Sequence, residues 1–119
     1  MKDQNSKEIG PEEMPVKRIL GLLGLCARAG KLSSGGFSTE KSIKSGQARL
    51  CLLASDASDA TIQLMQQMCA SRNIRAEIIN IDKDSLGHAV GKEARSSVTV
   101  EDSGFAEQLI KLIEGSSCL

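Results

Sequence analysis

The sequence has no tryptophan, no tyrosine and only two phenylalanines, Phe37 and Phe105. That shortage excludes the aromatic platform on which many single-strand binders stack successive bases, and it makes the core aliphatic. No apolar run approaches the roughly 18 residues needed to cross a bilayer. The opening MKDQNSKEIG lacks the apolar stretch of a secretory signal, so a cytoplasmic location is expected. Cysteine is present but unpaired in pattern: Cys26, Cys51, Cys69 and Cys118 show no C-x-x-C spacing, so neither a zinc knuckle nor a redox pair is indicated. An even count permits two disulfides. The expectation is instead that Cys26, Cys51 and Cys69, each inside an apolar stretch, are small buried hydrophobes in reduced form.

Net charge is also lacking: it is formally zero, which taken alone argues against a polyanionic partner. The distribution argues the other way. Residues 16–49 hold Lys17, Arg18, Arg28, Lys31, Lys41, Lys44 and Arg49 against Glu40 alone, a balance of +6. Residues 98–119 hold Glu101, Asp102, Glu107 and Glu114 against Lys111, a balance of −3. One end is basic and the other acidic, and it is the local field that steers a polyanion.

With 119 residues, 40% hydrophobic and 25% charged, the chain fits one ordinary globular domain. A flexible arm is expected over 1–14, a single domain over 15–115 and a tail, with Cys118, over 116–119. The stretch AGKLSSGGFSTEKSIKSGQARLCLL, 29–53, organises the rest. Gly35 and Gly36 stand at the mouth of a helix carrying Lys41 and Lys44, which are three apart and share a face. Two residues without side chains let another chain approach the free N–H groups and positive dipole end of that helix. Arg28 and Lys31 on the approach bring four cations toward this end. Lys92, Glu93 and Arg95 make a second charged loop that can flank the first if the two share a sheet edge.

The remaining pattern is helix and strand in alternation. VKRILGLLGLCARA places Val16, Ile19, Leu20, Leu23, Cys26 and Ala27 on one helix face, with Gly21 and Gly24 suited to close packing. Lys31 to Ser34 reads as a short strand or extended link. The helix at 35–45 is poor in core residues, with Phe37 and Ile43 as its main anchors. RLCLLAS (49–55) is a strand covered on both faces, and RAEIINI (75–81) and SVTVE (97–101) are two more. Ile62, Met65, Met68, Cys69 and Arg72 share one side of a further helix. Asp82 caps a short one, and Phe105, Leu109, Leu112 and Ile113 face inward from the last. This is an α/β pattern with helices on both faces of a small, mostly parallel or mixed sheet.

Catalytic readings are weak. Asp56 and Asp59 follow a strand, where α/β enzymes keep ligands, but helix capping uses the same residues. His88 has no orienting carboxylate or nucleophile evident in the sequence, and a thiol at Cys51, mid-strand in an apolar run, is deactivated rather than activated. No catalytic residue, metal site, cofactor or small-molecule substrate is expected.

Several segments together are similar to a known family. LGLLGLCARAGKLSSG (20–35), KSIKSG (41–46), ARLCLLASDAS (48–58), LGHAVGKEARSSVTV (86–100) and SGFAEQLIKLI (103–113) resemble the kink-turn-binding ribosomal proteins of archaea and eukaryotes. The bacterial ribosomal-protein-like branch fits best, and the likeness runs over about 16–114. It implies a three-layer α/β/α sandwich and an RNA partner with a sharply kinked internal loop. It assigns backbone approach to Gly35, an RNA contact to Lys41, and closure over an extruded nucleotide to residues 92–96. The family's readers follow the glycine with a small residue, Asn and Glu. Here Gly36, Phe37 and Ser38 stand there instead, which implies looser recognition through backbone and phosphate contacts.

The expected RNA-contacting residues are therefore Arg28, Lys31, Ser34, Gly35, Gly36, Phe37 and Ser38, followed by Lys41, Lys44, Lys92, Glu93 and Arg95. The partner is structured RNA, ribosomal RNA included, bound by a monomer with no membrane association. The rival reading is a protein-interaction module on the same fold that uses the acidic helix at 102–114 and has reduced RNA affinity.

Overall fold

The computed structural model describes residues 15–115; the expected arm at 1–14 and the tail at 116–119, with Cys118, lie outside the described residues. Helix α1 (Val16–Arg28) starts at Pro15, whose carbonyl accepts from the N–H groups of Arg18 and Ile19, and buries Ile19, Leu23 and Cys26 completely. Strand β1 (Leu32–Ser34) follows, then α2 (Gly36–Lys44), β2 (Leu50–Leu53), α3 (Asp59–Ser71) and β3 (Arg75–Ile78). The chain closes with α4 (Lys83–Ala89), β4 (Ser97–Val100) and α5 (Ser103–Gly115).

Of the two sheet forms expected, the mixed one is found. The order is β1-β4-β2-β3, and only β2 and β3 run parallel. Strand β4 lies between β1 and β2, antiparallel to both, with Val100 opposite Leu32 on one side and Leu50 on the other. Apolar patterning sets which residues a strand buries but leaves its direction open. Strand β3 ends at Ile78, but its backbone pairing with the β2 side goes on: the Ile79 N–H donates to the Leu53 carbonyl and the Ser55 N–H to the Ile81 carbonyl, at 2.9 Å each, and both isoleucines are buried.

Alternation along the strands divides the interior in two. Leu50, Leu52, Val98 and Val100 pack with α1, α4 and α5 in a core of 14 buried residues. Cys51 and Leu53 pack with α2 and α3 in a core of six: Ile43, Ala48, Cys51, Leu53, Met65 and Cys69. Helices therefore cover both faces, an α/β/α sandwich, and the α2 side is the thinly filled one. At about 1.5–3 kcal/mol per buried aliphatic side chain, α2 gains little from Ile43 alone.

The two glycines of α1 behave differently. A Cβ at Gly24 would sit 3.1 Å from the Ala89 carbonyl oxygen, so this glycine does permit close packing, against α4. A Cβ at Gly21 would meet nothing within 4 Å, so close packing does not explain that one. Gly21→Ala is accordingly expected to stabilise the fold by about 1 kcal/mol through helix propensity, and Gly24→Ala to give no such gain. Urea midpoints check this; a lower midpoint for Gly21→Ala would refute it.

Candidate nucleic-acid interface

The corner between β1 and α2 is held by Gly35, whose φ of 90° and ψ of 156° lie in a region essentially closed to other residues. Its N–H donates to the Ser97 carbonyl at 3.1 Å, and its own carbonyl accepts from the Thr39 N–H at 2.9 Å and the Thr39 hydroxyl at 2.8 Å. Thr39 is fully buried and its Oγ1 lies 3.1 Å from Ser97 Oγ. The first turn of α2 is thus pinned to the start of β4 from two sides.

Beyond that pin the turn is bare. Among the described residues no side chain caps the helix N-terminus, and Gly36, Phe37 and Ser38 are exposed. Phe37, expected as an anchor, is 82% exposed. The inner positions of α2 belong instead to Thr39, Ser42 and Ile43, so the phenylalanine is turned outward by register. This inner seam is polar, and the hydroxyls of Ser42 and Thr99 are buried in it without a hydrogen-bond partner among the described residues, a costly arrangement. Phe37, Lys41 and Lys44, at i, i+4 and i+7, form one outward stripe about 10 Å long.

The second loop does lie beside the first. The Lys92 N–H donates to the Gly87 carbonyl at 2.9 Å and the Arg95 N–H to the Lys83 carbonyl at 3.0 Å, so the segment lies across α4. It can do so because residue 87 has no side chain: a Cβ there would overlap the Glu93 carbonyl oxygen and stand 3.0 Å from the Ala94 Cα. From this loop the half-buried Arg95 donates through Nε to Ser34 Oγ at 3.3 Å, and the same nitrogen lies 3.6 Å from the Cβ position of Gly35. Lys92, Arg28, Ser34 and His88 border a cleft of about 550 Å³ between the C-terminal ends of α1 and α4. Glu93 is exposed on the same loop.

Lys31 does not join this group. It precedes β1, at the end of that strand away from Gly35, about 13 Å off at strand rise, and it borders a depression with Gly46 and Arg49. Lys44 likewise sits at the far end of α2, beside Arg49 and Arg72. The convergence of four cations at the glycine corner is therefore replaced by two groups. Arg28, Lys92 and Arg95 lie around the β1 end, with Lys41 midway along α2. Arg49 and Arg72 are not among the expected contacts: one opens an apolar strand, and the other continues the apolar spacing of α3, yet both are exposed, Arg72 at the C-cap of that helix.

The catalytic readings dissolve on geometry. Ser58, not an aspartate, caps α3, accepting from the Thr61 N–H at 3.1 Å. Asp56 accepts from the Lys83 N–H at 2.9 Å and Asp82 from the Ser85 N–H at 2.7 Å, so both carboxylates hold the start of α4. That bond, followed by one from the Ser85 side chain, keeps the Asp82 carboxyl below its usual range. Cys51 packs in the α2/α3 core while α4, bearing the exposed His88, packs on the other sheet face. A hydrogen bond with Cys69, and then burial, push the Cys51 thiol up, and burial with Asp102 and Glu101 nearby pushes Cys26 up to about 11. Cys26, Cys51 and Cys69 are all free and buried, as expected.

Known proteins resemble this chain over most of its length. The RNA-binding protein YlxQ of Bacillus subtilis (strain 168) is 39% identical over 93 residues, covering 78% of this chain and 92% of that protein. The large ribosomal subunit protein eL8 of Thermoplasma volcanium is 29% identical over 87% of this chain and 84% of its own. Among solved structures, a protein of unknown function from Bacillus halodurans C superposes with a TM-score of 0.77 at 36% identity, over 82% of this chain and 97% of that one. The Giardia lamblia 15.5kD RNA binding protein shares the fold, with a TM-score of 0.71 at 17% identity over 92% and 98%. Residues 17–110, from α1 through most of α5, match one family along their whole length, and the chain belongs to the ribosomal protein L7Ae/L30e/S12e/Gadd45 family.

Proposed function

We propose that the protein binds structured RNA, of the kink-turn or ribosomal kind, at the β1–α2 corner and the loop at 92–96. One observation carries the reading: an uncapped helix mouth with an outward Phe37 stands beside Arg95, reached from a loop some 60 residues further on. Exposed N–H groups and a cation suit phosphate, and a solvated aromatic ring suits an unstacked base. The relatives support the class, since one is an RNA-binding protein and another a large-subunit ribosomal protein. Ribosomal-type families act by binding rather than by catalysis, and in this reading the domain at 15–115 works as a cytoplasmic monomer.

Filter binding tests the proposal with an RNA containing a kinked internal loop and with the same stems joined as a continuous duplex. The kinked RNA is expected to bind more tightly. With about five phosphate contacts, log K against log salt should fall with a slope near −4. Lys41→Ala should weaken binding and make that slope shallower by roughly one unit. Identical curves for wild type and Lys41→Ala would count against the site.

A further inference from the structure

We infer that the surface at the C-terminal end of α2, opposite the glycine corner, is a second RNA contact that takes the phosphate backbone of a stem flanking the loop; this rests on the RNA reading above. Two adjoining depressions of about 440 and 310 Å³ share Gly46 and Arg49. Lys44 and Arg72 border the first and Lys31 the second, with Arg49 between them. All four are exposed. Among the described residues the one carboxylate on the rim, Glu101, accepts from Ser33 Oγ at 2.6 Å.

These cations come from four places in the chain: the start of β1, the end of α2, the start of β2 and the end of α3. The negative end of the α2 dipole accounts for a cation at Lys44, but not for three more brought in by other elements. Arg49 is held in position, its N–H on the Val100 carbonyl at 2.7 Å and its Nη1 on the Gly46 carbonyl at 3.4 Å. In a chain of zero net charge, a concave patch with a local excess of three positive charges is a strong local field. It is continuous with the first site, because the Phe37–Lys41–Lys44 stripe runs about 10 Å along α2 from one to the other. A duplex leaving the corner along that stripe would place its backbone on the patch, and phosphate contacts of this kind set position rather than sequence.

Three RNAs test this, carrying the same kinked loop with short stems, or with one or the other stem extended to about ten base pairs. Extending one of the two stems is expected to tighten binding and steepen the salt slope. The double variant Arg49→Glu, Arg72→Glu should remove that gain, about tenfold in affinity and about 1.5 in slope, and leave binding of the short-stem RNA and the melting temperature unchanged. If neither extension tightens binding, or if the variant weakens all three RNAs equally, the patch is not a stem contact. Displacement of poly-glutamate by the variant without any effect on the extended RNA would assign the patch to an acidic protein and overturn the inference. Failure of all three RNAs to bind would overturn the RNA reading itself, and this inference with it.

Discussion

Phe37→Ala is expected to weaken RNA binding by about 1–3 kcal/mol, the range for loss of one base–aromatic stack, with no change in thermal stability. The two halves of that expectation have separate origins. At 82% exposure the ring contributes almost nothing to either core, so its removal should leave the fold intact. The same exposure, next to an uncapped helix mouth, leaves a large apolar face without a partner among the described residues. Phe37→Trp should keep the affinity and Phe37→Ser lose it. Titration of a kinked RNA with each variant, beside a melt, decides the matter: a drop in melting temperature with unchanged affinity would return Phe37 to the role of a packing residue.

Gly87→Ala should destabilise the protein by about 1–3 kcal/mol, the usual penalty for forcing a group into filled space. Helix propensity predicts the opposite sign, since alanine is favoured over glycine within a helix by about 1 kcal/mol. The structure decides between them, because a Cβ at this position would overlap the Glu93 carbonyl and lie 2.5 Å from its carbon. Those are backbone atoms and cannot rotate aside. The loop must lift from α4, losing the Lys92–Gly87 hydrogen bond and carrying Arg95 away from Ser34. RNA affinity should therefore fall along with the urea midpoint, whereas Gly21→Ala, on an open face of α1, should raise the midpoint and spare binding. A Gly87→Ala protein as stable as wild type would mean that the loop does not rest on α4.

Much of this architecture was readable because its signals are periodic. The buried faces of α1 and α3 and the fully covered β2 follow from apolar spacing, and Asp82 occupies its expected cap. What was hidden depends on contacts between distant segments. Whether β4 runs with or against β2 is set by how α4 returns the chain, and residue type carries no trace of it. The orientation of α2 is hidden for a different reason: its inner positions are Thr39 and Ser42 as well as Ile43, so apolar patterning points Phe37 inward where the structure turns it out. The cations divided into two groups because β1 separates Lys31 from Gly35 by its own length, a spacing that adjacency in sequence conceals.

Ser97 receives the Gly35 N–H on its carbonyl, meets Thr39 through its hydroxyl and ends the loop that carries Arg95. One buried serine is thus the common hinge-pin of both jaws, although they are remote from each other in the chain. The separation of the two jaws is thus tied to backbone and buried hydroxyl contacts, not to the exposed side chains that line them. In the RNA reading proposed above, a partner would have to bring two surfaces to that separation before any single group on it is tested, so that shape is screened ahead of chemistry.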